Sequence, residues 1–342
     1  MHKHFATGLA ALALSLSPAF AAPAVVASIK PVHSLAAAIM GDLGTPGLIV
    51  SGTGSPHTYA MKPSDAGALQ NADLVFWIGP DMENFLISPL QNLSSAEKTV
   101  TLAQTPGLTL LAPREGGTFE EDDHDHGAHA DHDDHDHDEH AHEDHDDHDA
   151  HEDHDDHAEA DHDHAAHDHE GHVDAHLWLD PANAKLMLGP IADALSAADP
   201  ENADAYRANA AATEARLDQL IADTKALLAP VKDRPFVVFH DAYHYFENRF
   251  DIAAAGSIVI EPDTPPGVQR VAAIRDKLRE LHAACVFSEP EFESALVETV
   301  IEGSNAKTGV LDPLGAAIPD GPDLYFTLIS DMASSLAACL AD

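Results

Sequence analysis

The stretch Val25-Val26-Ala27-Ser28-Ile29-Lys30-Pro31 sets the reading of the whole chain. Its β-branched and small apolar residues form a short buried strand. Pro31, with its preset φ and no N–H to lose, suits the start of a helix that continues through residues 34–40. The alternation then repeats. Leu48-Ile49-Val50 reads as a strand ended by Ser51-Gly52-Thr53-Gly54, residues 63–70 as a helix, and Leu74-Val75-Phe76-Trp77-Ile78 as a buried strand stopped at Gly79-Pro80. Residues 82–92 read as a helix that Pro89 can kink. Strands alternating with helices need crossover connections, and crossovers make a parallel sheet.

A second series of the same kind starts at Phe236. Strands at 236–239, Ile258-Val259-Ile260, Cys285-Val286-Phe287 and Gly309-Val310-Leu311 alternate with helices over 243–250, 267–282, 292–302 and 324–340. Between the two series, residues 182–198 and 203–228 carry apolar residues three and four apart, split by Asp199-Pro200. The expected fold class is therefore α/β. Two similar lobes with parallel-type sheets, 22–112 and 230–342, are bridged by a helical connector over 182–229, with a return segment at 173–181.

The ends and the interruption have a different character. Lys3 precedes an apolar run over residues 5–20, and Ala19-Phe20-Ala21 gives a small-x-small cleavage pattern, so residues 1–21 read as an export signal. The run is too short to span a bilayer, and no cysteine follows it to carry a lipid. A soluble protein in an extracytoplasmic space is expected, with no direct membrane anchor. Residues 113–172 offer nothing to bury against chain entropy and read as a disordered, low-complexity loop. Of the formal charge of -42, 25 acidic residues lie between Glu120 and His172 with 18 histidines and no Lys or Arg, leaving -17 elsewhere. That balance excludes nucleic acid and anionic membranes as partners and favours cations. Two cysteines, Cys285 and Cys339, in an exported chain suggest one disulfide; two buried thiols are the other reading.

Six histidines remain outside the signal and the loop: His33, His57, His176, His240, His244 and His282. His57, His176 and His240 stand in loops or at a strand end, where open α/β sheets place their ligands. A lone histidine is commonly a structural residue, and no two of these three are close enough in sequence to make a local metal motif.

The segments that carry them resemble, in order, a known family. Ala27-Ser28-Ile29-Lys30-Pro31, Ser55-Pro56-His57 with Tyr59, Lys62-Pro63-Ser64-Asp65 and Asn71-Ala72-Asp73-Leu74-Val75 with Gly79-Pro80 are followed by His176-Leu177-Trp178-Leu179-Asp180-Pro181, Phe239-His240-Asp241-Ala242-Tyr243 and Leu311-Asp312-Pro313-Leu314-Gly315. The chain is similar to metal-specific ABC-transporter substrate-binding proteins, and among them to zinc receptors of the ZnuA type. The resemblance covers the mature chain apart from the acidic loop, which sits where zinc members often carry a histidine-rich one. It implies a Zn2+ site in a cleft between lobes joined by a long rigid helix, with His57, His176 and His240 as ligands. Capture in the periplasm and delivery to a membrane permease with its cytoplasmic ATPase follow, by a monomer that is not an enzyme.

Manganese members are similar but use a carboxylate where this chain has His240, and three imidazoles suit zinc better. Some zinc members have a glutamate before the first histidine; here it is Pro56. Asp312 corresponds to the ligating aspartate of manganese members, so the fourth position is Asp312 or water. His244, four residues beyond His240, is a possible accessory ligand or a helix-surface residue; His282 reads as surface and His33 has no assignment. Asp174, Asp241 and Glu289 are candidates for orienting an imidazole or for capping helices. The resemblance also implies a structural Cys285–Cys339 bridge. The acidic loop reads as a low-affinity zinc trap or sensor. A secreted zinc hydrolase is disfavoured, for no His-Glu-x-x-His pattern is present.

Overall fold

The structure, a computed structural model, describes residues 22–114, 173–259, 262, 264, 266–292 and 295–341. The export signal and nearly all of the acidic loop lie outside the described residues.

Four strands, β1 (Val25–Ala27), β2 (Gly47–Leu48), β3 (Leu74–Trp77) and β4 (Thr99–Thr101), form a parallel sheet in the order β2-β1-β3-β4. Helices α1 (Lys30–Met40), α2 (Pro63–Asn71) and α3 (Asn84–Leu93) supply the crossovers. The second series gives β5 (Phe236–Val238), β6 (Ala254–Ser257), β7 (Cys285–Ser288) and β8 (Lys307–Val310), again all parallel, in the order β6-β5-β7-β8. Their helices are α6 (His244–Phe250), α7 (Val268–Glu280), α8 (Ala295–Ile301) and α9 (Leu324–Leu340). The two sheets thus share one topology, and the strand order reverses between β1 and β3 in the first and between β5 and β7 in the second. A parallel α/β sheet offers its ligand crevice at that reversal, beyond the carboxyl ends of the strands.

Between them run α4 (Pro181–Ala198) and α5 (Ala203–Leu228). Asp180 starts α4, its side chain accepting from the Ala182 N–H at 2.8 Å ahead of Pro181 at the first helical position. At 26 residues, α5 is about 39 Å long by the helical rise. It packs on α4 and α1 beside the first sheet and on α9 beside the second. One apolar core runs through both sheets' inner faces and these helices, with Trp178, Tyr206, Tyr245, Tyr325 and Phe246 all at or below 1% exposure. A smaller core, built from Val237, Phe239, Ile274, Val286 and Val300, seals the outer face of the second sheet. Among the described residues no helix is long and apolar enough to cross a membrane.

Three local differences from the sequence reading have physical causes. The strand expected at 258–260 lies at 254–257, in Ala-Ala-Gly-Ser, whose small residues are strand-like only because β5 pairs beside them; Ile258 and Val259 follow it and still bond to the Val238 and Phe239 carbonyls. β2 is only Gly47–Leu48, although Ile49 and Val50 extend its bonds to Ala27 and Ser28. β4, with its polar Thr-Val-Thr sequence, was not anticipated, because a half-buried edge strand has no apolar run.

Candidate metal centre

His57 follows β2 in a turn at Ser55–Thr58, His176 precedes the short 3-10 turn Leu177–Leu179, and His240 lies two residues past β5. The fold brings these distant positions together: one ligand nitrogen from each lies within 4.8 Å of the others. The His57 and His176 Nε2 atoms are 3.3 Å apart. Zinc–nitrogen bonds of about 2.0–2.1 Å span a tetrahedral edge of about 3.3 Å, so the spacing is that of two ligands on one ion. Ring centroids stand 5.3–5.8 Å apart around the triad. His176 and His240 are buried and His57 is partly so.

Two rings are oriented from behind. His176 Nδ1 lies 2.8 Å from Asp174 Oδ1, which also accepts the His176 backbone N–H. His240 Nδ1 lies 2.7 Å from Glu289 Oε1, which likewise accepts the His240 backbone N–H at 3.2 Å. Each carboxylate accepts an Nδ1–H and turns the Nε2 lone pair inward. The His240 Nε2 is buried and meets no hydrogen-bond partner among the described residues, as a nitrogen reserved for a cation would. Glu289 stands immediately after β7 and His240 just after β5, so the pair sits on the strand-order reversal of the second sheet.

Charge follows the same geometry. Burial, followed by repulsion from His176 and His240, lowers the His57 pKa to about 2, which keeps that imidazole neutral and able to ligate. Burial opposes charge on His240 as well, but Glu289 outweighs it and raises the group above its ordinary value. Burial alone would raise Asp174; its contacts with His176 hold it below the usual carboxylate range.

Asp241 touches none of these rings. It pairs with Arg114, which also bonds Glu247 at 2.8 and 3.0 Å, so the chain is anchored there at the edge of the acidic loop. Asp312 lies outside the 4.8 Å cluster and accepts from the Leu314 and Gly315 N–H groups at 3.1 and 2.7 Å. His244 is also outside it, with Nδ1 3.9 Å from Asp174 Oδ2. His33 is buried against the Pro46 carbonyl at 3.0 Å, and His282 is exposed in a left-handed conformation with φ 51°. Cys285 and Cys339 are bonded, tying β7 to the end of α9.

Glu291 was not singled out from sequence. It lines the same pocket as the three histidines, with Trp178, Glu289, Phe292, Pro313 and Leu314. Among the described residues neither of its oxygens has a hydrogen-bond partner, and burial, with the carboxylates of Asp312 and Glu289 beside it, pushes its pKa up to about 8. The pocket leaves about 10 Å³ for the centre of a water molecule, room for about one water.

Two matching parallel-sheet lobes around an ion-sized pocket of three imidazoles define a metal receptor of the substrate-binding class. Comparison with known proteins narrows the class. A curated relative from Brucella suis, the high-affinity zinc uptake system protein ZnuA, is 55% identical over 317 residues, spanning 93% of this chain and 91% of its own. The protein of that name from Paracoccus denitrificans is 41% identical, over 97% of this chain and 96% of its own. A crystal structure of ZnuA superimposes with a TM-score of 0.71 at 25% identity, covering 94% of this chain and all of that one. Residues 25–339 match the family described as zinc-uptake complex component A, periplasmic, and the chain belongs to that family. It is a transport protein that captures zinc for an ABC importer and is not an enzyme.

Proposed function

We propose that the chain holds zinc, its cargo, through Nε2 of His57, His176 and His240, with water in the fourth position. The observation that carries this reading is the 3.3 Å Nε2–Nε2 spacing of His57 and His176 beside the unpartnered Nε2 of His240. Charge supports it. Three neutral imidazoles leave an ion at +2, and the buried carboxylates of Asp174 and Glu289 behind two of the rings balance that charge. Three nitrogens favour zinc over manganese, which prefers oxygen donors. Asp312 is committed to backbone N–H groups of its own turn, which favours water over Asp312 as the fourth ligand.

Residues 1–21 direct export to the periplasm. There the monomer docks with both lobes on a permease, whose cytoplasmic ATPase drives uptake. The histidines and carboxylates between Glu120 and His172 form weak sites that concentrate zinc for the protein. Two measurements test these readings. Replacing any one of His57, His176 or His240 by alanine abolishes tight zinc capture in a chelator competition; a variant that binds like the parent removes that residue from the site. Deleting 120–172 lowers zinc stoichiometry by calorimetry while the tight site survives; an unchanged count rules out the trap.

A further inference from the structure

From the geometry of the pocket wall we infer that Glu291 is a positioning residue for the cargo, its carboxylate accepting a hydrogen bond from the water that fills zinc's fourth position. The inference rests on the three-histidine reading and deepens it. Glu291 sits in a tight turn closed by the Phe292 N–H on the Glu289 carbonyl at 3.2 Å. Both neighbours in that turn are fixed on a proposed ligand. Glu289 bonds His240, and the Phe292 ring stacks on Phe239 at 4.8 Å and stands edge-on to His240 at 5.8 Å. The turn is thus held by the imidazole it faces, and Glu291 is carried on it to the pocket lined by His57, His176 and His240.

Its two oxygens are out of contact with solvent and take no hydrogen bond from any described donor. A buried acceptor without a donor is costly, and the polar groups beside it, Asp312 and Glu289, are acceptors themselves. The group lies outside the 4.8 Å cluster of ligand nitrogens while lining the same pocket. A carboxylate so placed is too far to complete a tetrahedron directly. It is suited to reach the ion through one water, whose O–H groups, polarised by the metal, supply the missing donor. Deprotonated beside the bound ion, it also adds a third anion to Asp174 and Glu289 around the +2 charge.

The test compares Glu291→Gln, Glu291→Asp and His240→Ala with the parent full-length mature protein. Zinc affinity is measured by chelator competition, cobalt(II) is used as a spectroscopic substitute, and metal-free unfolding is recorded for each. Glu291→Gln is expected to weaken zinc by roughly 10–100-fold, to alter the visible cobalt bands and not to lower metal-free stability. Glu291→Asp, which keeps the charge, binds more tightly than Gln. Affinity and cobalt bands in Glu291→Gln equal to those of the parent overturn the inference, and so does an Asp variant no better than Gln. X-ray absorption showing a carboxylate in place of water as the fourth donor overturns the water-bridged form. His240→Ala separates the two levels: if it too binds zinc like the parent, the metal centre itself is wrong, whereas its loss beside an intact Glu291→Gln sinks the role of Glu291 alone.

Discussion

At the scale of single residues, the centre depends on which imidazole holds a proton when zinc arrives. His57 does not, because its pKa of about 2 leaves it neutral throughout the physiological range. His240 keeps a proton to higher pH than a free imidazole, because Glu289 outweighs burial and raises it above the ordinary 6.5. A proton on His240 must leave before Nε2 can bind, so zinc affinity is full above the raised value and falls as pH drops through it. Competition titrations from about pH 8.5 to 5.5 should show that fall beginning above the ordinary imidazole value of 6.5. A curve flat across this window would remove His240 from the ligand set. The carboxylates behind the rings are testable separately: Asp174→Asn and Glu289→Gln each lose roughly 10–100-fold in zinc affinity by chelator competition, since an amide cannot serve as an anionic acceptor for Nδ1–H. The three histidines were legible one by one in the sequence, but spacing could not show that they converge, for 119 residues separate His57 from His176; only the family resemblance implied a shared site. Glu291 was invisible for a simpler reason. A glutamate in a polar turn after a strand looks like surface until the turn is seen folded back on His240.

At the scale of elements, the reversal points of the two sheets make an instructive pair. In the second sheet the carboxyl ends of β5 and β7 carry His240 and the Glu289 carboxylate that orients its ring. In the first, the corresponding place beyond β1 and β3 is closed by Glu83, wholly buried, which accepts from Ser28 Oγ at 2.5 Å and from the Ile78 and Gly79 N–H groups at 3.2 and 2.9 Å. Burial raises its pKa from the ordinary 4.5 to about 7 despite those bonds. The folded state therefore holds this proton more tightly than the unfolded chain. The stability it brings is fully present below about pH 4.5 and is lost as pH rises through about 7, a swing of roughly 3 kcal/mol. Urea unfolding of metal-free protein across that range, compared with Glu83→Gln, should show a steeper downward slope in the parent than in the variant; parallel curves would mean Glu83 titrates normally. Parallel-sheet alternation gave most elements at sequence level because β1, β3, β5 and β7 are apolar runs. β4 and β6 escaped because their neighbours, and not their own residues, make them strands.

At the scale of the molecule, the two lobes are tied by more than α5. Lys30 at the start of α1, only 5% exposed, donates to the Ala316 and Ile318 carbonyls at 3.2 and 2.8 Å and pairs with Asp320 at 3.2 Å. Trp178 Nε1 donates to the Pro313 carbonyl at 2.8 Å, and Tyr325 O–H to the Trp178 carbonyl at 2.6 Å. Ser34 Oγ accepts the Tyr325 N–H at 2.9 Å. These five hydrogen bonds and one ion pair cross from the first lobe and its return segment to the chain running from Pro313 into the first turn of α9, which supplies Pro313 and Leu314 to the metal pocket. A pocket wall latched in this way cannot swing open as a wide hinge without breaking buried bonds, each costing about 1–3 kcal/mol when left unmade. Release to a permease then has to act on the latch, and Lys30 is its buried charge, paired with the half-exposed Asp320. Lys30→Met keeps the aliphatic stem and removes all three contacts. It should speed zinc dissociation by at least about tenfold, the equivalent of about 1.4 kcal/mol, while leaving the ligand set seen by X-ray absorption unchanged. Stopped-flow chelator chase measures this directly, and a dissociation rate equal to the parent's would show that the latch has no part in holding the cargo.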